Sequence, residues 1–159
     1  MNVNLICIGK LKERYWQEAA AEYVKRLSRF HNLQITELKE ERLPDKAGPG
    51  EELAVIEAEG RTILRCLPDD AFTVALDLRG KSMDSPALAA FLDGLPLQGR
   101  NRVAFVIGGS LGLSEAVLQR ADLRLSFSAF TFPHQLMRVI LLEQLYRACK
   151  ISAGEKYHK

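Results

Sequence analysis

Cysteine is scarce, and its spacing suits no shared role. Cys7, Cys66 and Cys149 are odd in number and far apart, with no C-x-x-C pair among them. Neither a disulfide framework nor a metal site is expected, and the three thiols read as small buried residues of a protein held in a reducing cytoplasm. Long apolar runs are missing as well. Nothing approaches the roughly eighteen residues that a membrane span requires, so no membrane partner is expected. An excess of one charge is also missing, since 22 Lys and Arg face 20 Asp and Glu for a net charge of +2. That is too little to mark the whole molecule as a nucleic-acid binder. The opening MNVNLICIGKLKER places its charges after a short apolar run and offers no small-residue cleavage site, so a secretory leader is not expected. Repeats, low-complexity tracts and linker-like stretches are absent, and 159 residues suit a single domain, 1–159, with one core.

What is present is a regular alternation of two periodicities. Short apolar or alternating runs at 3–9, 33–38, 72–77, 103–107 and 123–126 read as strands. Helical spacing of apolar residues marks 13–30, 51–67, 86–93, 114–121 and 133–151. Residues 39–50, with two prolines and two glycines among charges, read as a mobile loop. Gly60 falls on an apolar helical stripe at a cost of about 1 kcal/mol relative to alanine, which either close approach to a strand or simple tolerance would explain. Strands alternating with helices along the whole chain predict one α/β domain, a mainly parallel sheet covered by helices on both faces. Ligands of such sheets bind beyond the carboxyl ends of the strands, here the turns after Asp77, Ile107 and Ser126.

Two of those turns are unusual. In FVIGGSLGLSEAV, Gly108, Gly109 and Gly112 stand at relative positions one, two and five, so neither the dinucleotide fingerprint nor the P-loop is met. The loop leaves main chain free for a flat or extended ligand, or simply makes a tight turn closed by Ser114 as N-cap. The stretch SFSAFTFPHQLMRV alternates small hydroxyls with Phe127, Phe130 and Phe132, which reads either as a strand or as a sheet-end loop whose lining suits an adenine ring. His134, in the first turn of the last helix, reads as a capping or loop-bonding residue. That helix is apolar nearly all round, which predicts a homodimer with the helix in its interface. Its polar residues Arg138, Glu143 and Arg147 are expected to satisfy one another there. Basic residues cluster at 10–29, six against three acidic, and at 150–159, three against one, as candidate phosphate contacts.

VALDLRGK, FVIGGSLGLS, LSFSAFTFPHQLMRVILLEQLYRA and the closing Tyr157-His158-Lys159 occur in that order, and with them the whole chain resembles the RlmH family of the SPOUT-class RNA methyltransferases. The resemblance implies S-adenosyl-L-methionine-dependent methylation of N3 of a pseudouridine in large-subunit 23S rRNA, on the assembled ribosome and by a homodimer. It implies a C-terminal trefoil knot, an exception to the rule that chains avoid knots. Leu76, Gly108, Phe127, Ser128, Ala129, Phe130, Thr131 and Phe132 match the family's cofactor positions. His158 is the candidate base or positioner of the uracil edge, and Tyr157 packs or hydrogen-bonds the base. A transfer-RNA methyltransferase of the same fold, a non-catalytic ribosome-assembly factor and a flavodoxin-like nucleotide binder are the alternatives.

Overall fold

Alternation of buried side chains decides the architecture. The computed structural model describes all of residues 1–159, in the order β1 (Asn2–Ile8), α1 (Arg14–Leu27), β2 (Asn32–Leu38), α2 (Pro49–Cys66), β3 (Phe72–Ser82), α3 (Ser85–Leu97), β4 (Arg102–Ile107), α4 (Glu115–Arg120), β5 (Leu123–Ser126) and α5 (His134–Ser152). Five strands form one sheet in the order β2-β1-β4-β3-β5, every pair parallel. Successive side chains of a strand point to opposite faces. Val3, Leu5, Cys7, Val103, Phe105 and Ile107 therefore join α1, α3 and α5 in one core, while Ile6, Ile8, Ala104 and Val106 join α2 and α4 in a second. The central strands β1 and β4 are buried on both faces, as a parallel sheet covered on each side requires.

Several boundaries differ from the sequence expectation for identifiable reasons. Helix α2 begins inside the supposed loop, because Pro49 suits a first helical position and Glu51 reaches back to accept the Gly48 amide at 2.9 Å. Helix α3 continues past residue 93 to Leu97, with Pro96 in its last turn. Strand β3 does not stop at Asp77. It bulges, so that both Leu76 and Lys81 pair with Leu125, and then continues to Ser82. The bulge needs Gly80, where a Cβ would lie 2.6 Å from the Arg124 carbonyl group. The expected close approach at Gly60 is to Ser114 and not to a strand.

The thiols divide. Cys66 is exposed, contrary to the expectation of three buried cysteines, because it is the last residue of α2. Burial pushes the Cys7 thiol up to about 12 and the Cys149 thiol up to about 11, which leaves both protonated and inert. No helix is long and apolar enough to cross a membrane.

Candidate active site

The order β4-β3-β5 makes neighbours of the three segments the sequence singled out, of which the one after Asp77 is the bulged second half of β3 and not a loop. Those segments meet around a cavity of about 790 Å³ at the carboxyl rim of the sheet. Its wall comprises Leu76 to Arg79 in the bulged part of β3, Ile107 to Leu113 at the end of β4 and after it, and Phe127, Ser128 and Phe130 to Pro133 after β5, closed by His134, Gln135 and Met137 of α5. The volume falls within the range of small-molecule sites.

The glycine loop owes its shape to sterics. The Gly112 amide donates to the Gly109 carbonyl at 3.1 Å, and Gly112 has φ of +86°, a left-handed conformation that favours glycine. A Cβ on Gly108 would lie 2.9 Å from the Gly112 carbonyl group. Ser114 then caps α4, its Oγ accepting the Val117 amide at 3.3 Å, as the sequence suggests. A tight turn and a bare main-chain wall are thus the same piece of backbone. Within the loop after β5, Ser126 Oγ donates to the Ser128 carbonyl at 3.1 Å, and the Phe130 amide donates to Ser128 Oγ at 3.1 Å. These bonds shape a segment that belongs to no helix or strand. Phe127 and Phe132 are half-buried in it, whereas Phe130 stands 77% exposed.

Charge is sparse around the cavity. Asp77 is neutralised by Arg124 of β5, whose Nε donates to its carboxylate at 2.9 Å. Burial alone would raise that carboxyl, but the Arg124 pair and the Arg79 amide outweigh it and hold it below the usual carboxylate range. His134 lines the cavity but does not cap α5, which has no side-chain cap. Arg138 does not join Glu143 and Arg147 as expected. Buried at 2% exposure, it donates to Glu37 at 2.7 Å and to the Gly9 carbonyl at 2.8 Å, tying the start of α5 to the ends of β1 and β2. Glu143 and Arg147 do pair, at 2.6 Å.

Of the cofactor positions, Leu76, Gly108, Phe127, Ser128, Phe130, Thr131 and Phe132 all line this cavity; Ala129 does not. His158 lies elsewhere, in a second cavity of about 490 Å³ formed with Asp84, Ser85, Ile140 and Gln144. The two cavities share Leu125, Ser126, Phe127 and Phe132 as a common partition. Tyr157 faces neither. Its hydroxyl donates to Glu143 at 3.1 Å, its ring meets Tyr146 edge-on at 5.1 Å, and the Arg147 guanidinium covers it at 4.7 Å. Burial and the neighbouring Glu143 carboxylate push the Tyr157 phenol up to about 12. The sequence reading missed Ser85 and Gln144, which bond each other at 2.6 Å in the second cavity. The available signal was an amide beside Glu143 in a mostly apolar helix.

A parallel α/β sheet with a glycine- and phenylalanine-lined cavity at its carboxyl rim has the form in which α/β enzymes bind small molecules. A family model described as predicted SPOUT methyltransferase matches residues 1–158. The chain belongs to the SPOUT methyltransferase family. It is 55% identical over 159 residues, 100% of each chain, to the ribosomal RNA large subunit methyltransferase H of Clostridium novyi (strain NT). The protein of the same name from Bifidobacterium adolescentis is 52% identical over the same length. Among solved structures, a probable methylase family protein from Haemophilus influenzae Rd KW20 superposes with a TM-score of 0.56 at 14% identity, covering 99% of this chain and 70% of that one, a likeness of fold.

Proposed function

We propose that the protein methylates N3 of a pseudouridine in large-subunit ribosomal RNA, with S-adenosyl-L-methionine held in the larger cavity. The observation that carries this reading is the convergence of the bulged part of β3 and the loops after β4 and β5 on one cavity that shares a wall with the cavity of His158. The residues suit the cofactor. Main chain at Gly108 to Gly112 gives close approach, Leu76, Phe127 and Phe132 offer apolar surface for an adenine ring, and Asp77 is already paired.

The bound cofactor supplies an activated methyl on a sulfonium sulfur, so the chain needs to align an attacking nitrogen and remove one proton. Held against Leu76, Gly108, Phe127 and Phe132, the cofactor would supply the methyl that replaces the N3 proton of the imide and would leave as the neutral thioether. His158 accepts the N3 proton or orients the uracil edge, while Ser85 and Gln144 offer hydrogen bonds in the same cavity. Tyr157 anchors the tail on α5 and so positions His158.

This reading also takes the chain as one domain, knotted at its C-terminal end, working as a cytoplasmic homodimer on the assembled ribosome. The basic residues of 10–29 and the tail lysines are its phosphate contacts. The test pairs calorimetric titration of S-adenosyl-L-methionine with transfer of labelled methyl to ribosomes or to transfer RNA. Micromolar cofactor binding and labelling of the large ribosomal subunit are expected. Affinity for flavin or NAD in place of S-adenosyl-L-methionine, labelling of transfer RNA, or ribosome binding without transfer would each overturn it.

A further inference from the structure

Glu59 is a carboxylic acid buried where nothing neutralises it. It lies in α2, 4% exposed, and makes no ion pair. Burying such a group is costly unless it is paired or hydrogen-bonded. Oε1 accepts the Glu41 amide at 3.1 Å. Oε2 lies 3.0 Å, and Oε1 3.4 Å, from the place a Cβ on Gly109 would occupy, so the carboxyl packs directly against the back of the glycine loop. The next residue of α2 engages the far end of the same loop. A Cβ on Gly60 would lie 2.1 Å from Ser114 Oγ and 2.8 Å from Ser114 Cβ. Two consecutive residues of one helix thus hold both ends of segment 109–114.

That segment has two sides. One lines the larger cavity from Gly108 to Leu113, and the other faces a recess of about 340 Å³ lined by Glu59, Ser110, Leu111 and residues 40–43. A run that holds Gly109 and Gly112 and follows Gly108 has wide conformational freedom, and every conformation it loses on ligand binding weakens the complex. We propose that Glu59 is a positioning residue for the cofactor site, its carboxyl bracing the Gly109 turn from behind so that the cavity wall is formed before the ligand arrives. The inference rests on the cavity being the S-adenosyl-L-methionine site. Gly109 is glycine on this account because the Glu59 carboxyl, together with Ile8 Cγ2 at 3.1 Å from the Cβ position, occupies the space of its side chain.

The test measures S-adenosyl-L-methionine affinity by calorimetry for the wild type, Glu59→Ala, Glu59→Gln and Glu59→Asp, with thermal unfolding alongside. Removing the brace in Glu59→Ala is expected to weaken binding by about tenfold or more, through the loss of preorganisation. It should raise KM for the cofactor while leaving kcat at saturation near the wild-type value. Glu59→Gln keeps the volume and the acceptor for the Glu41 amide, and is expected to restore affinity to within about threefold. If Glu59→Ala does not fold, Glu59→Asp withdraws the carboxyl from Gly109 by one methylene and should show the same loss. Wild-type affinity in a folded Glu59→Ala or Glu59→Asp protein would overturn the proposal, as would equal weakening by Gln and Ala. A wild-type protein that fails to bind the cofactor would instead defeat the parent reading.

Discussion

At the scale of single residues, two glycines in helices have opposite reasons for being there. Gly60 of α2 has no room for a methyl, because Ser114 already fills the space. Gly94 of α3 has only the flexible end of Gln98 nearby, 3.8 Å from the Cβ position. Alanine relieves the unfolded-state entropy of glycine wherever it fits, and forces its neighbours apart wherever it does not. Gly94→Ala is expected to raise the unfolding free energy by about 0.5–1 kcal/mol in urea denaturation. Gly60→Ala is expected to lower it by roughly 1–3 kcal/mol, and a stabilising Gly60→Ala would show that α2 and α4 are less closely packed than described. The sequence made Gly60 conspicuous as a costly residue on an apolar stripe. It did not say why, since the atom that excludes a side chain belongs to the residue that caps another helix. Glu59 was silent for the same reason: a glutamate in a helix is ordinary until its burial is known.

At the scale of elements, α5 and the tail behind it form one device. Arg138 fixes the start of the helix to the ends of β1 and β2, and Glu143 with Arg147 receives the ring and hydroxyl of Tyr157 near its other end. The tail is moored at 157 and delivers His158 to the second cavity. None of its last three residues lines the larger cavity. Removing residues 157–159 is therefore expected to leave fold, dimer and cofactor affinity intact while abolishing methyl incorporation into ribosomes. Incorporation at the wild-type rate would remove the tail from the chemistry. His158→Ala should behave like the truncation, whereas Tyr157→Phe loses one hydrogen bond but keeps the ring contacts, and should retain a reduced rate. The strands and helices were legible because each buries a periodic face, and only their ends moved. Arg138 was misread because an arginine on an apolar helix signals a partner without naming it, and the partner, Glu37, is 101 residues away.

At the scale of the whole molecule, the rule that ligands sit beyond strand carboxyl ends singled out three segments that line one cavity before any strand order was known. The order itself was not legible. Only the placement of β4 beside β3 and of β3 beside β5 turns three separate segments into one cavity, and only the path of the tail creates the second. The same limit bears on the proposed dimer. A helix apolar on every side suggested a second subunit, yet α1, α3 and Tyr157 of the same chain already leave no residue from 134 to 151 fully exposed. What a partner has left to cover is the outer strip of α5 that includes Leu136 and Ile140, both half-buried and outside the core clusters. A dimer built there is sensitive to one charge in that strip, because an unpaired carboxylate at the centre of an interface is desolvated without compensation. Sedimentation equilibrium is expected to find two 17.8 kDa chains together for the wild type and a single folded chain for Leu136→Glu. A dimer that survives Leu136→Glu unweakened would place the subunit contact on another face, and a monomeric wild type would leave the ribosome to be recognised by one chain alone.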